Sequence, residues 1–415
     1  MDETFYWGRS GKQATVIEVT CKLAQKVDVK VLSDSLLSAL KVHTNFRIQP
    51  VVVKRRFHAV IEDVTTPPVM PHDGRPRHLG TKETQGLMLY VTYKENEITL
   101  HVFHGISDLR GVYAFLNTLL KFYYNELGVE GIELPKPDSM DSTVSYEDIL
   151  KEGTHGKAKG RFNPKEHNIF HLPENKFGKN TTRQRIFEIG VPLQPLLDFA
   201  KENKSSVVPT LHAIIGQAIR KTYEAGEKNI VGYIPIDLRP VFNFETGGNG
   251  VSTFSLPYPA KLDRYGLSER SRHLRDEMEL QIQPDNLYAG VAALRQSMEP
   301  VFRLRLPKGI LSGLAVRIGR KRDASSYTYG ISYAGKITFG EQIDPYVTAV
   351  TACAGSYSYP LWNIACEYKG TIRMMFVQAY ESDTLIRNIY HELSGLFGGT
   401  VITDKGYHEF DEFHL

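Results

Sequence analysis

The chain has few of the features that assign a sequence quickly. Its three cysteines, Cys21, Cys353 and Cys366, are scattered with no CxxC spacing. That excludes a disulfide scaffold, argues against a structural zinc site and suits a reducing compartment, so the expected location is the cytoplasm. No run approaches the roughly 18 apolar residues of a membrane span, and residues 1–10 lack the apolar stretch of a signal peptide. Charge of one sign is also missing: 50 Lys and Arg against 47 Asp and Glu leave a net charge of +3. Such a surface has no global field to recruit nucleic acid or an anionic bilayer, so an anionic ligand must be held locally. No glycine-rich phosphate loop follows a strand, and no GxSxG nucleophile elbow is present, so neither a bound nucleotide cofactor nor serine-hydrolase machinery is expected. No repeat of fixed period is visible.

What remains is an ordinary globular composition, 41% hydrophobic and 23% charged over 415 residues, longer than one core usually organises. Hydrophobic periodicity predicts strands at residues 14–21 and 51–64, a helix over 29–43, and a hairpin in which 87–93 and 97–103 flank the polar turn Lys94-Glu95-Asn96. A helical stripe (Val112, Phe115, Leu116, Leu119, Leu120, Tyr123) then starts just beyond Asp108. Between residues 130 and 184 the periodicity fades into Lys, Gly, Asn, Pro and His, which reads as a solvated crossover. The pattern restarts with strands at 185–189 and 230–236, and with helices around Leu211–Ile219 spacing and over 270–283. Extended segments follow at 327–333 and 346–352, then a hairpin, 362–368 with 371–379, and a final helix capped by Ser382.

The segment His101-Val-Phe-His-Gly-Ile-Ser-Asp108 holds the one HxxxD of the chain, at His104 and Asp108. By itself the spacing decides little, since 14 histidines make about one chance match expected. Strand alternation places His104 at the end of the apolar row Ile98, Leu100, Val102, where a modest desolvation favours the neutral imidazole that a general base needs. From the hairpin alone, a core histidine with a satisfied hydrogen bond fits as well. His101 and His104 do not form a metal pair, because residues three apart on a strand project to opposite faces and no third ligand lies near.

A second segment, Ile230-Val-Gly-Tyr-Ile-Pro-Ile-Asp-Leu-Arg-Pro240 followed by Gly247-Gly-Asn-Gly250, changes the balance. With the HxxxD hairpin it resembles the superfamily of chloramphenicol acetyltransferases, peptide-synthetase condensation domains, plant BAHD acyltransferases and alcohol acetyltransferases, in order and separation along most of the chain. Ile331-Ser-Tyr-Ala-Gly-Lys336 is similar to a segment of the alcohol-acetyltransferase branch. Phe103 before His104 and Leu109 after Asp108 depart from the condensation-domain pattern of a double histidine and a glycine, and the Asp-Phe-Gly-Trp-Gly segment of BAHD enzymes is absent.

The resemblance implies an α/β fold of two lobes, residues 1–165 and 185–415 joined by a crossover at 166–184, each a mixed sheet flanked by helices with a channel between them. It implies an acyltransferase in which His104 is the catalytic base. Asp108 would form a buried ion pair with Arg239 that ties the histidine loop to the other lobe, and Gly105 would let the loop turn. Ser332 and Tyr333 are the candidate oxyanion or channel hydroxyls. Acyl-CoA is the expected co-substrate and a small-molecule hydroxyl or amine the acceptor, with no bound cofactor and no metal. A carrier-protein thioester as donor, and a degenerate non-catalytic binding module, are the alternatives. The cluster Arg317, Arg320, Lys321, Arg322 suits the phosphates of coenzyme A but fits a solvated helix end better.

Overall fold

The computed structural model describes residues 16–53, 56–61, 63–137, 168–173, 183–290, 292, 325–355, 359–410 and 412–413. The crossover expected at 166–184 and the cluster from Arg317 to Arg322 fall wholly or largely outside them. Strand β1 (Val16–Leu23) leads into helix α1 (Val29–Val42), whose first turn is capped by the Asp28 carboxylate accepting from Val31 N at 3.0 Å. Strands β2 (Ile48–Val53) and β3 (Arg56–Ile61) pair antiparallel where the sequence suggests one strand, because a β-rich run reads alike whether or not it folds back. Short β4 (Val69–Pro71) and β5 (His78–Leu79) lie in the proline-rich stretch. The expected hairpin follows as β6 (Leu89–Lys94) and β7 (Glu97–Phe103), turning on Glu95 at φ 51°. Helix α2 (Leu109–Glu126) closes the first half.

The second half runs β8 (Arg183–Pro192), α3 (Leu193–Glu202), α4 (Val207–Thr222), β9 (Ile230–Asp237), β10 (Val251–Tyr258), α5 (Leu267–Gln281), β11 (Tyr329–Lys336) and β12 (Val347–Ala354). It ends with β13 (Leu361–Tyr368), β14 (Thr371–Gln378), α6 (Thr384–Phe397), β15 (Val401–Glu409) and β16 (Glu412–Phe413). The N-cap position of α6 is Asp383, not the expected Ser382, whose hydroxyl instead accepts from Thr384 N at 3.4 Å.

Two sheets result. The first has the order β12-β1-β7-β6-β4, the second β10-β9-β11-β13-β14-β8-β15. Strand β12, late in the chain, completes the first sheet by pairing antiparallel with β1 from Ile17↔Ala354 to Leu23↔Val347. Helices α1 and α2 bury Leu32, Leu36, Leu40, Val112, Leu116 and Leu119 against the first sheet. Helices α3 to α6 cover one face of the second sheet with a separate core, each presenting an apolar stripe at helical spacing. The other face of the second sheet turns toward the first lobe: Ile364, Cys366 and Tyr368 of β13 belong to the first lobe's core. The seam between the lobes is thus a packed contact, and the HxxxD segment bonds across it through Asp108, which pairs with Arg239 and accepts from Gly250 N.

The three cysteines are buried and form no disulfide. Burial pushes the Cys366 thiol up to about 11, and raises Cys21 and Cys353 as well, so none supplies a thiolate near neutral pH. Among the described residues no helix is long and apolar enough to cross a membrane, and no group of three or more His, Cys, Asp and Glu side chains could hold a metal ion.

Candidate active site

His104 does not continue the alternation of β7. The strand ends at Phe103, and residues 104–106 form a turn closed by Ile106 N donating to Phe103 O at 3.0 Å. The turn requires Gly105, since a Cβ there would meet the Phe103 ring at 2.1 Å. The direction of the imidazole is therefore set by the turn and by what grips it.

Asp108 is the principal grip. It is the N-cap of α2, its Oδ1 accepting from Gly111 N at 2.9 Å, while Oδ2 accepts from Gly250 N at 2.7 Å. Arg239, in a single helical turn (Arg239–Phe242) after β9, approaches the same carboxylate with both ends of its fork, Nη1 to Oδ2 at 2.9 Å and Nη2 to Oδ1 at 3.1 Å. The remaining guanidinium hydrogens go to Asp237 Oδ1 at 3.0 Å, Gly248 O at 2.8 Å and, from Nε, Thr246 O at 3.0 Å. All five N–H donors are used, which is how a buried guanidinium offsets its desolvation. Asp108 is 1% and Arg239 5% exposed. Burial alone would lower the Arg239 pKa, and the Asp108 and Asp237 carboxylates outweigh it, holding the group charged above its ordinary value.

The loop of residues 246–250 is the other half of the clamp. Gly247 O accepts from Ser107 Oγ at 2.7 Å and from Asn45 Nδ2 at 3.1 Å. Gly111 lies so close that a Cβ would meet Gly247 O and Ser107 Oγ at 2.2 Å each. Asn249, 6% exposed, reaches the histidine turn itself: its Nδ2 donates to His104 O at 2.8 Å and Gly105 O at 3.3 Å, and its Oδ1 stands 3.1 Å from His104 Nδ1. Phe103 and residues 105–108 are buried, whereas His104 is only half-buried. A rigid, solvent-excluded frame presents one partly accessible imidazole.

The structure therefore joins His104, Gly105, Asp108 and Arg239 in one hydrogen-bonded network. Ser332 and Tyr333 stand outside it, on β11. The Tyr333 ring packs on the helix-covered core and its hydroxyl donates to Glu367 Oε2 at 3.2 Å, with burial pushing the phenol up. Ser332, one residue earlier, is on the opposite face and pairs in register with Ile364, which faces the first lobe. Of the two hydroxyls, only Ser332 faces the seam. Residues not singled out from the sequence are Asn45, Ser107 and Asn249. The run Gly247-Gly-Asn-Gly250 marked the loop, but nothing local tells which group an asparagine between glycines will meet.

A surface cleft of about 530 Å³ lined by Gln25, Tyr124, Glu130, Glu341, Gln342 and Tyr346 lies at the far end of α2. That is about 27 Å from Asp108 at 1.5 Å per helical residue, so the cleft is not beside His104.

No family model matches the chain, and no curated protein sequence matches it. Solved structures do. Polyketide synthase associated protein 5 from Mycobacterium tuberculosis is similar with a TM-score of 0.65 at 14% identity, over 95% of this chain and 96% of that one. The epimerization domain from the third module of tyrocidine synthetase B gives 0.61 at 11% identity, over 95% of each chain. The condensation domain of the monacolin K polyketide synthase gives 0.59 at 13% identity, over 95% of each. The fold is thus the two-lobed, chloramphenicol-acetyltransferase-like fold of condensation domains. These neighbours do not single out the alcohol-acetyltransferase branch suggested by residues 331–336.

Proposed function

We propose that the protein is an acyltransferase that moves an acyl group from a pantetheine thioester to a hydroxyl or amine, with His104 as general base. The observation that carries this is the contrast within the turn, a half-buried imidazole between buried neighbours clamped from the opposite lobe. As the acceptor oxygen attacks the thioester carbonyl carbon, the imidazole takes its proton, an effect worth about 10²- to 10⁴-fold in rate. The tetrahedral oxyanion collapses, the C–S bond breaks, and the imidazolium returns the proton to the departing thiolate. Acyl ester (or amide) and free thiol leave without an acyl-enzyme, and no cofactor is required. Ser332 is the hydroxyl we assign to the oxyanion, because it faces the seam; Tyr333 turns away from it. Both substrates would approach along the seam.

The donor is pantetheine on a carrier protein in this reading, which the similar domains from synthetases and polyketide synthases favour, ahead of the coenzyme A donor expected from the sequence. Purified protein is incubated with acetyl-CoA, acetyl-pantetheine or an acetylated carrier protein, each with a panel of alcohols and amines, and thiol release is followed. Acceptor-dependent release fastest from the carrier supports the reading. Equal or faster release from acetyl-CoA reassigns the donor, and none from any donor removes the transferase and leaves the binding module.

A further inference from the structure

We infer that Asn249 is a positioning residue that selects which ring nitrogen of His104 does the chemistry, an inference resting on the reading of His104 as base. An amide side chain has one donor end and one acceptor end. At Asn249 the donor end faces two carbonyl oxygens, those of His104 at 2.8 Å and Gly105 at 3.3 Å, which can only accept. The end 3.1 Å from His104 Nδ1 is therefore Oδ1, also an acceptor, and the hydrogen of that bond has to come from the ring. A neutral imidazole that carries its proton on Nδ1 carries its lone pair on Nε2. Turned over, the asparagine would set its oxygen against the two carbonyl oxygens, and its burial denies it water as a substitute partner. Its backbone is fixed on either side, where Gly248 O accepts from Arg239 and Gly250 N donates to Asp108. The pair that ties the lobes together thereby also sets the orientation of the base.

The chemistry also explains an amide rather than a carboxylate. A neutral acceptor holds the tautomer without an adjacent negative charge, which would favour imidazolium and weaken the base near neutral pH. Among the described residues, the titratable and charged groups bonded into this network besides His104 include Asp108, Arg239, Asp237 and, bonded to Asp237, Arg110.

Two measurements test this on the full chain. Protein labelled with 15N at histidine is compared with the His104→Gln variant to assign the His104 ring, above the pH at which it titrates. A pyrrole-like Nδ1 and a pyridine-like Nε2 are expected, and the reverse overturns the inference whether or not the protein is a transferase. In kinetics, Asn249→Ala should lower kcat at least tenfold with the KM for acetyl-pantetheine within about twofold. Asn249→Asp should move the acid limb of the rate profile up by about one pH unit. Thermal unfolding confirms that both variants are folded. If His104→Ala is inactive while both Asn249 variants keep the wild-type kcat and profile, the positioning role fails and the base survives. If His104→Ala stays active, the base itself fails.

Discussion

His101 and His104 stand three residues apart at the end of one strand, and the protein treats them oppositely. His101 is 3% exposed, stacks on Tyr90 at 4.2 Å, bonds Thr92 Oγ1 through Nε2 at 3.0 Å and sets Nδ1 3.5 Å from Glu18. Glu18 lies at the centre of a cross-strand row, flanked by His101 of β7 and Cys353 of β12, and accepts from His408 of β15 at 2.8 Å. Burial alone would raise the Glu18 pKa, but the His408 and His101 rings outweigh it and hold the carboxylate well below its usual range. Here His101 fastens neighbouring strands of one sheet, and His408 joins the row from the other sheet. Past the strand end, His104 belongs to a turn, and its fastening is done by others: Asp108, Arg239 and Asn249 grip the backbone and one ring nitrogen. In the proposed mechanism His104 can act as a base because Asp108, Arg239 and Asn249 carry the structural load of its turn.

Substituting each histidine separates the two roles. His104→Ala should cost about 10²- to 10⁴-fold in acyl transfer while thermal stability stays nearly unchanged. His101→Ala should do the reverse, losing stability with kcat within about threefold at a temperature where the variant is folded. Equal losses of activity in the two would erase the distinction. Asp108→Asn comes next, since it leaves Arg239 buried without its full counter-charge. A loss approaching the 3 to 5 kcal/mol seen when buried pairs are broken is expected, together with reduced activity because the turn loosens. Retention of full stability in denaturant unfolding would show that the clamp is dispensable.

Glu18→Gln is the smaller effect, about 1.5 to 3 kcal/mol for charge-assisted hydrogen bonds, with kcat preserved. Its pH dependence has a defined sign. Because the folded-state pKa lies below the ordinary 4.5, the unfolded chain binds the proton more readily. The contribution of Glu18 is therefore fully present above about pH 4.5 and lost as pH falls toward the folded value. Wild-type stability should drop more steeply than that of the variant on acidification below about pH 5, and parallel curves would remove Glu18 as a fastener.

Local pattern carried much of the fold. The β6–β7 and β13–β14 hairpins were readable because alternation and a polar or glycine turn coincide, Lys369 and Gly370 both taking positive φ (47° and 74°). Helices α1, α2 and α4 were readable from their stripes. What periodicity could not show is pairing across the chain. Strand β12 reads as one more extended segment, yet it closes the first sheet beside β1, some 330 residues earlier. Strand β10 follows the Gly-Asn loop so closely that it gave no separate signal, and β15 is a mostly exposed edge strand without a marked apolar face. At the site, the partnership of Asp108 with Arg239 was accessible because two motifs in the right order implied it. Asn249 was not, since its meaning depends on carbonyl oxygens 144 and 145 residues away.

In the proposed reaction the His104 imidazole meets substrate in the seam between the two large sheets. The decisive measurement is a crystal structure with a thioether analogue of acetyl-pantetheine bound. The acyl end is expected beside the His104 ring on the Ser332 side, with room for an acceptor hydroxyl about 2.6–3.2 Å from Nε2. An analogue bound elsewhere, with the ring walled in by packed side chains, would rule out His104 as the base.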